Sequence, residues 1–434
     1  MAKIQGMQAL EVLDSRSNPT IYVKTVFDDG SVGVGYAPSG ASTGKYEALE
    51  LRDNDPKRYE GRGVLNAIKG IREKIAPALT GMEIDDFRAV DQKMIELDGT
   101  ENKSNLGANA TLAVSISVAE ALSKSKKLEL FVFLAGYFNP GNDSFAIPLP
   151  YFNILNGGKH AVGSTDFQEF MIVPVKFPNF AEALRAGTEI YYALGKILLE
   201  RNYQPLVGDE GGFAPSLFSN EQAMELLMMS IKEAGYAAGE EVFIALDPAA
   251  SRFFYQDIYQ LHRENRTFTT DELIDYYKVW IDKYPIVSIE DGLNQDDWKG
   301  WQRLTAEVGS RLEVIGDDLY TTNKNRLQMG IQQKASNAIL IKPNQIGTLS
   351  ETIETINFAK QNNIKFMVSH RSGENEDTFI ADLAVAAGGG MIKAGAPCRS
   401  ERTSKYNRLL EIETLLGEKA KFATRDTSQN TGLQ

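Results

Sequence analysis

The stretch VFIALDPAAS, residues 242–251, decides how the chain reads: an apolar run ends abruptly on a carboxylate, Asp247, and a proline and small residues follow. An apolar run of this kind marks a strand buried on both faces, as in a parallel sheet covered by helices. The same grammar opens at residues 170–175 and recurs at residues 286–289 before Glu290, 312–315 before Asp317, 338–341 before Lys342, 366–368 before His370 and 391–392 before Lys393. From Asp247 onward the charged ends are 43, 27, 25, 28 and 23 residues apart, intervals that each suit one strand and one amphipathic helix. Ser219 with Gln222, Thr269 with Glu272 and Thr348 with Glu351 supply capping boxes at the helix starts. This β/α alternation predicts a TIM-type (β/α)8 barrel, in which all the charged ends converge on one mouth. An open doubly wound sheet is the alternative, but no Gly-rich phosphate fingerprint follows a first strand.

Working outward, residues 20–27 alternate, Asp29-Gly30 supplies a turn and residues 31–36 return, which predicts a hairpin. Apolar residues at threes and fours over residues 55–134 predict helices, so a smaller α+β N-terminal domain precedes the barrel. The segment 137–150, with Asn139-Pro140-Gly141-Asn142, is the boundary, which divides the chain into 1–137 and 138–434.

The 434 residues carry a net charge of -12, which argues against a nucleic-acid surface. No stretch approaches the roughly 20 apolar residues needed to span a bilayer. The first residues do not resemble a targeting segment, and the one cysteine, Cys398, fits a reducing compartment. The expectation is a cytoplasmic protein with no membrane binding. With three histidines, a metal site must rely on oxygen donors, which favours Mg²⁺, Mn²⁺ or Ca²⁺.

Asp247, Glu290 and Asp317 present three carboxylates from successive strand ends, the hard ligation a divalent cation takes while keeping positions for substrate. Each alone reads equally as a helix cap or a lysine partner. Lys342 and Lys393 at later strand ends, facing such a cation, would lower each other's pKa, so that one could act as a base. Cation and second lysine would then stabilise the dianion left when a proton leaves the carbon beside a carboxylate. Glu210, on the glycine-flanked turn GDEGG, could protonate a leaving hydroxyl, and Glu169 in DFQEF is a second acid or a buried ion-pair member. Arg371 and Ser372 in SHRSGE suit a phosphate. PSGASTG (residues 38–44) and NGGKHAVGS (residues 156–164) read as flexible turns or as lids.

Together these motifs resemble enolase over nearly the whole chain. PSGASTG, ELDGTENKSNLGANA, FQEFMI, VGDEGGFAP, YPIVSIEDGL, GDDL, IKPNQIGT, SHRSGENEDT and CRSERTSKYNRLLEIE appear in the family's order. The resemblance implies an N-terminal capping domain, a barrel whose first units are irregular, with an early antiparallel strand, and reversible dehydration of 2-phosphoglycerate to phosphoenolpyruvate with two Mg²⁺ per site. It implies Asp247, Glu290 and Asp317 as ligands of one Mg²⁺ and Ser39 as helping to hold the second. Lys342 matches the general base and Glu210 the general acid, with Glu169 and Lys393 completing the site. Gln168, His160, Arg371 and Ser372 match substrate-contacting positions, and His370 the histidine behind them. It further implies a homodimer or an octamer, and a cytoplasmic location with a secondary surface pool reached without a signal peptide.

Three departures stand out: Ser17 where the family usually has glycine, Val162-Gly163 in the His160 loop, and IKAGAPCRSER in place of a KTG sequence. Ser17 would be strained if its position requires φ > 0. Two rival readings follow from the same frame. One is another barrel enzyme of the wider superfamily, an acid-sugar dehydratase or a cycloisomerase. The other is a binding protein on an enolase frame, for plasminogen or an RNA-degrading assembly, against which the ending Gly432-Leu433-Gln434 lacks a terminal lysine.

Overall fold

The computed structural model describes residues 2–41, 43–141, 144–423 and 425. Ser42 of the PSGASTG loop, Asn142 of the boundary segment and the last three residues, each used above, lie outside the described residues.

The chain opens on an antiparallel sheet of β1 (Ala2–Leu13), β2 (Pro19–Phe27) and β3 (Val32–Tyr36), extended beside β1 by the short pair Glu83–Ile84. The expected hairpin is β2–β3: Gly30 takes φ 86° and the Asp29 carboxylate accepts the Ser31 N–H at 2.8 Å. One face of this sheet packs on α1 (Ala108–Ser125), where Thr25 and Ser117 share a buried hydroxyl hydrogen bond of 2.7 Å. Gly33 and Gly35 let the helix backbone approach directly, because a Cβ at either would collide with main-chain atoms of α1.

Eight strands then close into a barrel: β4 (Leu149–Asn156), β5 (Glu169–Pro174), β6 (Val242–Asp247), β7 (Ile286–Glu290), β8 (Glu313–Gly316), β9 (Ala338–Ile341), β10 (Lys365–Ser369) and β11 (Met391–Lys393). The order around it is β7-β8-β9-β10-β11-β4-β5-β6. All neighbours are parallel except β5, which runs antiparallel to both β4 and β6. The irregular first units implied by the resemblance are therefore present. Side chains such as Met171, Val173, Phe243, Val287, Leu340 and Met367 fill the barrel interior as a packed cluster, so it is a core and not a pore.

Helix starts follow their signals, but only one of the three boxes is reciprocal, and Glu351 accepts the Thr348 hydroxyl in place of its backbone N–H. Thr269 and Glu272 form the full reciprocal box, whereas Gln222 reaches past Ser219 to the Phe218 N–H at 2.8 Å. No described helix is long and apolar enough to cross a membrane.

Candidate active site

Register explains the gathering of charge at the mouth. Across the reversed strand, Glu169 at the start of β5 pairs with Asp247 at the end of β6, and Ser369 pairs with Lys393. Lys393 Nζ lies 2.8 Å from both Glu290 oxygens, 3.1 Å from Glu169 and 3.5 Å from Asp247. Lys342 Nζ lies 2.5 Å from Asp317 Oδ2. Lys393 is buried against these acids and Lys342 largely so, with 13% of its side chain exposed, and the acids outweigh burial: Lys342 is held above the usual lysine pKa and Lys393 well above it. The mutual depression expected from two adjacent lysines is thus overridden, because five carboxylates surround them before any cation is bound.

The carboxylates are unequal. Burial, then the charge of Asp247, pushes Glu290 well above the carboxylate range. Burial also acts on Asp317, but Lys342 outweighs it and the carboxyl is drawn down. Buried acid thus exceeds buried base here, and the three strand-end carboxylates are oxygen donors on neighbouring parallel strands. That donor set fits a hard divalent cation. Asp291 closes the group from behind, accepting the Asp317 and Asp318 N–H groups at 2.9 Å each.

A second cluster faces the first across a pocket lined by residues of both. Glu210 arrives on a loop between the helices Phe180–Glu200 and Asn220–Glu233. His160 Nδ1 sits 3.5 Å from Glu169 and 3.4 Å from Glu210, and Asn153 donates to Glu210 at 2.9 Å. Burial, reinforced by the charge of Glu210, raises Glu169 well above the usual range. Burial acts on Glu210 in the same sense, but the facing His160, His370 and Arg402 draw it well below. The two carboxyls are thus driven apart, which makes Glu169 the readier of the two to take up a proton. Burial keeps His370 neutral, with a pKa lowered to about 4. Arg402 can only donate, and its Nη1 lies 2.5 Å from His370 Nδ1, so the imidazole proton is on Nε2, which faces Glu210 at 3.3 Å. Gln168 Oε1 and His160 Nδ1 are buried with no hydrogen bond among the described residues, as expected of groups awaiting a ligand.

Arg371 and Ser372 follow β10. The Arg371 guanidinium is buried and meets Glu47 at 3.0 and 3.2 Å and Asn344 Oδ1 at 2.9 Å, and Ser372 Oγ accepts the Ala41 N–H at 2.5 Å. Ser39 lies beside this group: its hydroxyl donates to Glu50 at 2.9 Å and accepts from Arg52 at 3.1 Å, while its backbone bridges Gly373. In the His160 loop Val162 is 94% exposed and Gly163 takes φ 85°, so the unusual pair points outward, away from the packed interior. Ser17 does adopt φ 59°, the conformation in which its side chain is strained.

Sequence reasoning missed Glu47, Asn344, Asp291 and Arg402. Arg402 lies inside the quoted CRSERTSK stretch, where a fully buried guanidinium leaves no local signature.

Comparison with known proteins identifies the family. The family model described as the enolase N-terminal domain matches residues 4–134, and that described as the enolase C-terminal TIM barrel domain matches residues 144–431. The chain belongs to the enolase family. It is 52% identical over 422 residues to Enolase 1 of Methylococcus capsulatus, covering 97% of this chain and 99% of that protein. As an enolase it is a lyase, a phosphopyruvate hydratase, dependent on a divalent metal and acting on the family's substrate and product.

Proposed function

We propose that this enolase converts 2-phosphoglycerate to phosphoenolpyruvate at the mouth described, with Lys342 as the base and Glu210 as the acid. The observation that carries the assignment is their placement: Lys342 and Glu210 line one small buried pocket together with Arg371 and Ser372. Asp247, Glu290 and Asp317 would hold one Mg²⁺, and Ser39 would help to hold a second with the substrate phosphate. Bound there, Mg²⁺ supplies positive charge against the dianion formed at the substrate carboxylate. With Asp317 engaged as a ligand, Lys342 would lose the carboxylate that holds its proton, and Lys342 Nζ takes the proton from carbon 2, while Glu169 remains beside Lys393. Lys393 stays charged and faces the developing dianion. Glu169 takes up a proton, and the His160 cluster supports its passage to Glu210, which delivers it to the leaving hydroxyl. His370, neutral and fixed by Arg402, orients Glu210. Arg371 and Ser372 take the phosphate and Gln168 the rest of the polar substrate. Ser39, tied to Glu50 and Arg52, secures the root of the 38–47 loop.

We also place the domain division at residues 137/138, supported by the gap between the two matched segments. From family membership we propose a homodimer acting mainly in the cytoplasm. The functional test is ultraviolet detection of phosphoenolpyruvate from 2-phosphoglycerate with Mg²⁺, repeated with chelator. Signal abolished by chelation and restored by Mg²⁺ is expected; no signal at any Mg²⁺ level overturns the assignment.

A further inference from the structure

The loop at residues 38–47 is fastened at both ends to one group, the Arg371 guanidinium. At its start, Asn344 Nδ2 donates to the Pro38 carbonyl at 3.1 Å while Oδ1 of the same amide accepts from Arg371 Nη1 at 2.9 Å. At its end, Glu47 takes Arg371 through both carboxylate oxygens, at 3.0 and 3.2 Å, and also accepts the Gly44 N–H at 2.8 Å. Between these ends, Ser39 bridges Gly373 and Ala41 donates to Ser372, so the loop also follows the two residues after the arginine. The Glu47 and Arg371 side chains are 9% and 3% exposed, which rules out a screened surface pair.

We propose that Asn344 and Glu47 are positioning residues that make the phosphate-binding arginine and the 38–47 loop one mechanical unit, so that a phosphate held by Arg371 fixes the loop. This rests on the reading above that Arg371 receives the substrate phosphate. An asparagine suits the bridge because its short amide carries donor and acceptor on separate atoms, Nδ2 to give to Pro38 and Oδ1 to accept from Arg371. A carboxylate suits the other end because it matches the guanidinium fork bidentately. Neither residue touches the reacting atoms, so their loss should weaken binding far more than turnover.

The test uses Asn344→Ala and Glu47→Gln in the full chain with Mg²⁺, beside wild type and Arg371→Lys. Asn344→Ala should raise KM for 2-phosphoglycerate about tenfold, the order of one hydrogen bond to a charged group, with kcat changed less than about threefold. Glu47→Gln keeps one acceptor, turns the other into an NH2 donor facing the guanidinium and loses the charge; it should also raise KM. The second readout uses inorganic phosphate as the probe and follows trypsin cleavage after the exposed Lys45 by mass spectrometry. Phosphate should slow cleavage in wild type and lose that effect in Asn344→Ala, even at concentrations where its competitive inhibition shows the site filled. Unchanged KM in both variants, or undiminished phosphate protection in Asn344→Ala, overturns the coupling. If Arg371→Lys leaves KM and phosphate inhibition unchanged, it is the underlying assignment of Arg371 that fails instead. A fall in kcat with unchanged KM, or a melting temperature lowered as much as activity, also counts against the proposal, since it would mark a merely structural role.

Discussion

Replacing Lys393 with methionine should destabilise the metal-free protein and leave it more dependent on divalent cation than wild type. The Lys393 side chain is 2% exposed and lies within 3.5 Å of Glu169, Asp247 and Glu290. Removing one member of such a buried group leaves the others uncompensated, at a cost of about 3–5 kcal/mol. With an unfolding entropy of about 2.1 cal/mol/K per residue, the 434 residues give roughly 0.9 kcal/mol/K, so the melting temperature should fall by about 3–6 °C. The pH dependence has a definite sign. Glu169 and Glu290 already sit well above the ordinary glutamate pKa of 4.5, and losing the lysine raises them further. The folded chain then binds more protons than the unfolded one above that value, so stability falls as pH rises. Thermal melts in chelator should show a larger deficit at about pH 8 than at about pH 5, and saturating Mg²⁺ should narrow it. Equal melting temperatures in chelator at the higher pH, or a deficit that grows on acidification, would refute this account of the charge balance.

Lys342→Ala should abolish proton exchange at carbon 2 in deuterated water, whereas Glu210→Gln should keep some exchange while losing dehydration; normal exchange in the lysine variant would remove it as the base. Burial pushes the Asp377 carboxyl up to about 7 from 3.8, so the folded state keeps that proton through the window where the unfolded chain has lost it. Asp377→Asn should therefore gain about 2–4 kcal/mol above about pH 7, fading towards pH 4, as read by denaturant titration. Ser17→Gly relieves a left-handed residue at φ 59° but adds freedom to the unfolded chain, for a net gain of up to about 1 kcal/mol in the same assay. A loss of stability there would show that the Ser17 side chain contributes more than its backbone strain costs.

The barrel was legible because strands buried on both faces cannot alternate, so β6 to β10 stand out as apolar runs ending in charge. Strand β4 was not, because its sequence begins among the prolines of the supposed boundary, with Pro148 and Pro150 masking its buried residues. Strand β1 was hidden for the opposite reason: inward and outward positions mix after Met7, and Leu10 and Leu13 are exposed. At the site, strand-end residues could be nominated from spacing, whereas Glu47 and Asn344 acquire meaning only through Arg371, 324 and 27 residues away in sequence. The protonation of the lysines depends on the whole ring of acids as well as on a bound cation, and spacing along the sequence does not supply that ring.

The reversal of β5 has a consequence in the parity of chain crossings. A parallel step returns from mouth to base once, and one helix serves. Between Pro174 and Val242, which lie side by side at the base, the chain must cross an even number of times. It makes two crossings, up through Phe180–Glu200 and down through Asn220–Glu233, and the turn between them necessarily reaches the mouth. Glu210 rides on that turn. A barrel with eight parallel strands would have no such turn, so the direction of a single strand determines whether this carboxylate can be delivered to the pocket.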